Sequence, residues 1–180
     1  MRKSNKRIID MAVITDLLNS APAGRLGTVG SDGWPMVKPL NFAYADGRIY
    51  FHCALEGEKL DDIRRDNRVC FQADLPIAYV RGGADNPCRA EYLYRSVIIR
   101  GHARLVDDDR EKLLGLDALM RKYQPEGGYG PYLEEKLALT GVVRIDIEEV
   151  VGKEDLGKAE VRERVMAALA AGEPLPLTIG

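Results

Sequence analysis

Residues 34–59 read WPMVKPLNFAYADGRIYFHCALEGEK, and this stretch decides the fold class. Strand-forming residues run on both sides of Asp46-Gly47, a dipeptide typical of a two-residue hairpin turn. The stretch therefore predicts one strand over 36–45 and a returning strand over 48–54. A glycine and a lysine follow in the next loop, so the hairpin leads directly to a candidate binding site.

The loop after the hairpin carries Gly57 and Lys59, and a helix of about two turns is predicted over 58–66. A glycine lets backbone approach a phosphate, and a lysine adds positive charge at the start of a helix. Upstream, Pro39 interrupts strand pairing, so that residues 38–41 can offer backbone groups to the edge of a flat ring. The order of these features predicts a site for a flat, phosphorylated ligand, although a single lysine in this setting is more often a solvated surface residue.

The rest of the chain predicts a mainly β protein with helices at its ends and in its connections. Further strands are expected at 24–30, 68–80, 93–106 and 141–151, and further helices at 10–21, 109–124 and 158–171. Five or six strands joined mostly by hairpins are typical of a small antiparallel barrel. Regular strand–helix–strand alternation is absent, which argues against a doubly wound sheet.

Apolar spacing predicts which faces of these elements are buried. The returning strand of the hairpin places Ile49, Phe51 and Cys53 on one face, and Tyr50 and His52 on the other. In the helix over 109–124, the apolar stripe that predicts the buried face consists of Leu113, Leu116, Met120 and Tyr123.

Length and composition indicate a soluble globular protein. The chain has 180 residues, enough for one domain with its own core, and 46% hydrophobic and 30% charged residues argue against disorder. A net charge of −2 does not suggest a protein that coats nucleic acid or an acidic membrane. No apolar run approaches the roughly 18 residues of a membrane span. The basic start MRKSNKRIID lacks the apolar core of a secretory signal, so the cytoplasm is the expected location.

The same basic start raises a weaker hypothesis, a DNA-associated regulator. Its cationic arm would consist of Arg2, Lys3, Lys6 and Arg7. So short a segment of mixed polarity is more often a disordered tail, which is the interpretation we favour.

Metal and nucleophile chemistries find little support in the sequence. The three cysteines, Cys53, Cys70 and Cys88, form no CxxC pair, so reduced thiols are expected, with Cys70 in the core. His52 and Cys53 point to opposite faces of one strand, and His102 is distant in sequence, so no metal site is predicted. The sequence also contains no GxSxG motif, no Walker loop and no dinucleotide fingerprint.

Three segments carry a resemblance to a known family: GRLGTVGSDGWPMVKPLNFAY at 24–44, DGRIYFHCALEGEKLDDIRRDNRVCF at 46–71 and YRSVIIRGHARLV at 94–106. The middle segment is the most specific, because it combines a Tyr-Phe-His strand, a Gly-x-Lys loop and an Asn-Arg-Val-Cys strand. Over roughly residues 8–150, the chain resembles the pyridoxamine-5′-phosphate-oxidase-like family of FMN-binding split barrels. It is especially similar to the 5-nitroimidazole-resistance, or Nim-type, branch.

The resemblance implies a split β-barrel with an FMN site at the interface of a homodimer. The implied cofactor contacts are Val37, Lys38, Pro39, Leu40 and Asn41 along the isoalloxazine ring, Phe51, His52 and Cys53 near the ring and ribityl phosphate, Gly57 and Lys59 at the phosphate, and Arg95 and Ser96 from the partner subunit or from the same pocket. Cys53 stands where a serine or threonine is usual, and Ser96 where the oxidases proper carry glutamine. The ending EPLPLTIG lacks the tryptophan- and arginine-rich segment of those oxidases, which argues against vitamin B6 oxidase activity.

These expectations give two function hypotheses. The first is an FMN-dependent oxidoreductase that reduces a small aromatic or nitroaromatic compound, with the flavin carrying the electrons. His52 would then be a candidate catalytic residue that handles a proton, although packing beside Tyr50 would make it structural. The alternative is a non-catalytic flavin- or haem-binding storage or sensor protein on the same barrel.

Both hypotheses share one expected organisation. The chain is expected to form a single FMN-binding split-barrel domain over 1–180, with a terminal helical extension at 153–180. Its expected partners are a second copy of the chain and a small-molecule substrate, without nucleic acid, membrane or metal.

Overall fold

Nine strands and five α-helices occur in residues 4–173 and 178–179, the part of the chain that the computed structural model describes. The strands are β1 (Arg7–Ile8), β2 (Gly24–Val29), β3 (Pro35–Leu40), β4 (Ala43–Ala45), β5 (Arg48–Cys53), β6 (Arg68–Val80), β7 (Glu91–Leu105), β8 (Gly141–Asp155) and β9 (Thr178–Ile179). The helices are α1 (Met11–Ser20), α2 (Glu58–Arg65), α3 (Asp109–Tyr123), α4 (Glu134–Leu139) and α5 (Ala159–Ala171).

The strands share one sheet whose order is β3-β2-β6-β7-β8-β5-β4, with β1 beside β8 and β9 beside β6. β3 and β4 stand at the two ends of this order and do not pair with each other, so the sheet is not closed. The pairs β2–β3, β2–β6, β4–β5 and β5–β8 are antiparallel. The predicted fold class, mainly antiparallel β with flanking helices, is confirmed.

The single strand predicted over 36–45 is wrong, because the chain leaves the sheet at Asn41-Phe42 and forms two strands, β3 and β4. Phe42 is fully buried, and its backbone N–H donates to the Tyr123 hydroxyl at 3.1 Å. The same hydroxyl donates to the Pro22 carbonyl at 3.0 Å. These two bonds replace strand pairing at this point and leave Asn41 exposed.

Contacts divide the chain into two units. The first comprises residues up to 17, 74–97 and those from 151 onward, and its core cluster consists of Ala78, Leu93, Leu156 and Val165. The second comprises residues 18–73 and 98–150. Its core includes Phe42 and Phe71, whose rings meet edge to face with centroids 4.9 Å apart.

Within the second unit, α3 packs against the sheet through its smallest residues. Its buried residues are Gly115, Ala118 and Leu119. A Cβ at Gly115 would lie 3.0 Å from Tyr50 Cδ1 and 2.9 Å from Val142 Cγ1, so only glycine allows this approach. The helix therefore covers Tyr50, and both faces of β5 are buried at that residue and its two neighbours.

The predicted apolar stripe of α3 is therefore only partly its packing face, since Leu116 packs against the core clusters of Ala118 and Tyr50. Leu113 and Tyr123 are 38% and 39% exposed, and Leu116 and Met120 are only half-buried. The apolar stripe exists, but the helix packs against the sheet mainly through the neighbouring residues Gly115, Ala118 and Leu119, because two of these are small and permit closer packing.

The prediction that Cys70 belongs to the core is also wrong, because Cys70 is exposed. Burial alternates along this part of β6, and Val69 and Phe71 are the residues that point into the core. A strand places successive side chains on opposite faces, so Cys70 must point the other way.

A buried carboxylate fixes α2 against the sheet. Asp62 is 2% exposed and accepts hydrogen bonds from Thr28 Oγ1 and Arg65 Nη2, each at 2.9 Å. Its Oδ2 lies 3.6 Å from Lys38 Nζ. Burial raises the pKa of Asp62, but the two hydrogen bonds and the lysine charge outweigh burial, so the pKa lies below its usual value. Arg65 also donates to the Val29 carbonyl, a second tie between α2 and β2.

Replacement of Asp62 by Asn should lower the free energy of unfolding by about 1–3 kcal/mol at neutral pH, because buried charge-assisted hydrogen bonds are lost. The carboxylate contributes stability above its unfolded-state pKa, about 3.9 for Asp, and loses it as the pH falls through the lower folded-state pKa. Urea unfolding of wild type and Asp62→Asn should therefore show a difference that shrinks below about pH 4. A difference that is the same at neutral and strongly acidic pH would contradict the ion-pair assignment.

Candidate functional site

The loop between β5 and α2 ends in Gly57, the N-cap of α2. Its φ of 117° lies in the region that favours glycine, and a Cβ there would meet no atom within 4 Å. No side chain caps the helix, and its first hydrogen bonds run from the Leu60 and Asp61 N–H groups to the Gly57 carbonyl at 2.9 and 3.2 Å. The N–H groups of Glu58 and Lys59 have no intrahelical acceptor and can donate to an anion.

The carboxylates of α2 pair with cations other than Lys59. Glu58 lies 2.9 Å from the ammonium of Lys38, and Asp61 accepts a hydrogen bond from Arg64 Nη1 at 3.1 Å. Among the described residues, Lys59 makes no ion pair. Its positive charge is therefore available to a ligand.

Cys53 ends β5 beside these cations. Burial raises the pKa of its thiol, while the positive charges of Lys59 and Arg64 act in the opposite direction. The thiol is free and half-buried. It therefore remains protonated at neutral pH and is a weak hydrogen-bond donor.

We call the group formed by Cys53, Gly57, Lys59 and Arg64 the α2 cradle. Phe51 belongs beside it, because Lys59 Nζ lies 5.2 Å from the centre of the Phe51 ring. The cradle offers an open glycine, helix N–H donors and an unpaired ammonium, and these are the groups that bind a phosphate. Of the residues predicted near the ribityl phosphate or at the phosphate, Cys53, Gly57 and Lys59 belong to the cradle, whereas His52 lines a different groove.

The predicted ring contacts on β3 divide between the two faces of that strand. Val37 lies opposite Gly27, is 66% exposed and lines a shallow apolar groove of about 600 Å³, which we call the β2–β3 groove. Lys38 lies on the other face, next to α2. The predicted interruption of strand pairing at Pro39 is wrong, because Pro39 lies opposite Arg25 in a continuous β2–β3 ladder. Pro39 is exposed, as is Val37, and Leu40 is half-buried.

Asn41 and His52 line a different groove, of about 310 Å³, which we call the α3–α4 groove. Its other lining residues are Leu116, Leu119, Met120, Tyr123, Tyr132, Leu133, Lys136, Leu137 and Thr140. This groove was not predicted from the sequence, because no helix was expected over Glu134–Leu139. The available signal was the apolar stripe of α3, three of whose four residues line the groove.

Arg95 and Ser96 lie on β7 in the first unit. The Arg95 side chain is 11% exposed, and its Nε lies 3.2 Å from Glu154 Oε2. Glu154 Oε1 also accepts from Arg162 Nη2 at 3.0 Å. Arg95 is thus engaged within its own unit, and its contribution to a flavin pocket, like that of Ser96, stays a prediction.

Among the described residues, no group of three or more His, Cys, Asp or Glu side chains could hold a metal ion. His102 is exposed, with Nδ1 at 3.1 Å from Asn67 Oδ1. No helix within residues 4–173 is both long and apolar enough to cross a membrane.

Residues 10–154 match the pyridoxamine 5′-phosphate oxidase family. Because this match covers most of the chain, the protein belongs to that family, as the resemblance predicted. None of the curated proteins matches the chain.

Solved structures of bacterial proteins share the fold. A candidate 5-nitroimidazole antibiotic resistance protein from Bacteroides thetaiotaomicron is 27% identical, with a TM-score of 0.73 over 82% of this chain and 86% of that chain. An FAD-binding protein from Mesorhizobium loti is 26% identical, with a TM-score of 0.57 over 82% of this chain and 96% of that chain. An FAD- and haem-binding protein from Mycobacterium smegmatis, 19% identical with a TM-score of 0.74 over 91% and 80%, supports the fold alone. The predicted split-barrel fold is confirmed.

The placement of Cys53 beside Lys59 can be tested by alkylation. In a chain with Cys70 and Cys88 replaced by Ser, iodoacetamide should modify Cys53 slowly at neutral pH, because burial keeps the thiol protonated. Lys59→Ala should move the pH midpoint of alkylation upward, because it removes a charge that favours the thiolate. Lys158→Ala, at a lysine that is 87% exposed in the first unit, is the control and should leave the midpoint unchanged. Identical midpoints in all three proteins would show that the charge of Lys59 does not act on the Cys53 thiol.

Proposed function

We propose that the protein is an FMN-binding flavoprotein that acts as a homodimer and reduces a small aromatic or nitroaromatic compound. The observation that carries this proposal is the α2 cradle, in which Lys59 has no ion-pair partner among the described residues and Gly57 begins an uncapped helix. Membership of the family and the flavin-binding relatives of the same fold support it. Bound FMN would supply the redox chemistry, and the chain would supply binding, orientation and electrostatics.

The cofactor phosphate would be held by the α2 cradle. Lys59 would bind it through its ammonium, and the N–H groups of Glu58 and Lys59 would donate to its oxygens. Arg64 is already shared between Asp61 and the Leu55 carbonyl, at 3.1 and 3.3 Å. Its main contribution would therefore be long-range positive charge, and Lys59 would be the principal side-chain ligand.

The β2–β3 groove suits a flat ring and a partner subunit. Val29 and Val37 are 44% and 66% exposed, and Cys70 lines the same surface. Exposed apolar surface of this kind commonly marks an interaction site. The proposal puts the second copy of the chain over this surface, which would enclose the flavin ring between the two subunits and exclude water from it.

His52 is the candidate for proton handling. It is exposed on β5, and among the described residues its ring makes no hydrogen bond. Its two ring nitrogens are therefore free to exchange hydrogen bonds with a substrate. The alternative interpretation, a structural histidine packed beside Tyr50, would require a ring engaged by neighbouring groups.

Lys59→Ala should weaken FMN binding about 10- to 100-fold, because a charge-assisted bond to phosphate contributes about 1.5–3 kcal/mol. Riboflavin lacks the phosphate and should bind wild type and Lys59→Ala equally. Quenching of flavin fluorescence measures both affinities, with Lys158→Ala as the matched control.

An equal loss of FMN and riboflavin binding would show that Lys59 acts on the fold rather than on the phosphate. A wild-type protein that binds neither flavin would overturn the proposal. Turnover then separates the two functions: electrons that pass from NADH or NADPH through the flavin to a nitroaromatic compound indicate the enzyme. A bound flavin that neither NADH nor NADPH reduces would favour the storage or sensor protein.

Val37→Asp should dissociate the proposed homodimer, raising its dissociation constant about 100-fold or more, because a carboxylate would lose its hydration in an apolar interface. Leu139→Asp is the matched control, since it adds the same charge at a leucine that is 69% exposed on another surface. Sedimentation velocity measures both. A monomeric wild type, or a Val37→Asp variant that stays dimeric, would contradict this interface.

A further inference from the structure

The α3–α4 groove has the size and lining of a small-molecule site. Its volume of about 310 Å³ lies at the lower end of the range of ligand pockets. A cavity of about 150 Å³ already holds a benzene ring. One substituted aromatic ring therefore fits the groove, and apolar side chains from both helices would contact its faces.

The two tyrosines that line the groove have hydroxyl groups that are already engaged. Tyr123 accepts a hydrogen bond from the Phe42 N–H and donates to the Pro22 carbonyl, at 3.1 and 3.0 Å. Tyr132 donates to Asp117 Oδ1 at 2.9 Å. The tyrosines therefore offer their rings to a ligand, and polar contacts must come from other lining residues.

The charge of the lining favours an anion. The described residues that line the groove include the cationic Lys136 and no carboxylate. Within the part of the chain that the structure describes, the Lys136 ammonium makes no ion pair and the His52 ring no hydrogen bond. The Thr140 hydroxyl donates to the Lys136 carbonyl at 2.8 Å, which fixes this end of α4. An unpaired ammonium beside an apolar groove is complementary to a ring that carries a negative charge.

We propose that the α3–α4 groove binds a small aromatic carboxylate, with the ring against Leu116 and Met120 and the carboxylate bound by Lys136. As a statement about the substrate class of the flavin chemistry, this inference rests on the proposed function. As a binding site, it rests on the groove alone. His52 lines the same groove, so it would lie beside the bound ring.

The test compares 4-nitrobenzoate with 4-nitrobenzamide, which share the ring and the nitro group and differ in charge. In isothermal titration calorimetry, flavin-free and FMN-loaded protein should both bind the acid about tenfold more tightly than the amide. Lys136→Gln should remove this preference, whereas Lys158→Gln, which makes the same charge change outside the groove, should retain it. Met120→Trp, which fills the groove, should abolish binding of both compounds while thermal unfolding stays cooperative.

Equal affinity for the acid and the amide, or a preference that survives Lys136→Gln, would overturn the proposal. Binding retained by a folded Met120→Trp variant would also overturn it. If FMN displaces 4-nitrobenzoate, the groove belongs to the flavin site and the proposal fails. If the protein binds 4-nitrobenzoate with the expected variant pattern but binds no FMN, the groove site stands and the proposed function fails.

Discussion

The buried carboxylate of Asp62 is the contact on which the candidate site depends. Its hydrogen bond from Thr28 ties α2 to β2, and a further bond from Arg65 of α2 itself helps to stabilise a charge that burial alone would make unfavourable. Its lowered pKa keeps this tie in place at neutral pH. Because α2 is held there, Gly57 presents an uncapped helix N-terminus at the end of β5, and Lys59 stands in its first turn without an ion-pair partner among the described residues.

Local chemistry explains the parts of this arrangement that the sequence could predict. Asp46-Gly47 forms the hairpin turn with φ angles of 50° and 74°, values typical of a tight turn between antiparallel strands. The predicted helix over 58–66 is present as α2, whose buried apolar residues are Leu60 and Ile63. Gly57 adopts a positive φ as the N-cap of α2, a conformation that favours glycine, whereas its contact with a phosphate stays a prediction. Each of these features depends on residues within a few places of one another in the chain.

Distant contacts explain the parts that could not be predicted. The break between β3 and β4 depends on the Tyr123 hydroxyl, which binds the Phe42 N–H from 81 residues away. The buried face of α3 depends on how closely Gly115 can approach Tyr50, and a helical pattern alone does not measure that distance. The exposure of Cys70 depends on which face of β6 meets the core. In each case, sequence periodicity was compatible with more than one arrangement, and tertiary packing determined which of them forms.

Side chains alternate between the two faces of β5, so residues 51–53 contribute to both the α2 cradle and the α3–α4 groove. Phe51 lies near Lys59, whose charge also acts on Cys53, whereas His52 between them lines the α3–α4 groove. Successive residues of a strand point to opposite faces, so the α2 cradle and the groove are neighbours that share no side chain. A phosphate in the cradle and an aromatic ring in the groove would therefore be placed by the same strand and recognised by different groups. Within this architecture, the chemistry of the groove can vary through α3 and α4 while the cradle stays unchanged.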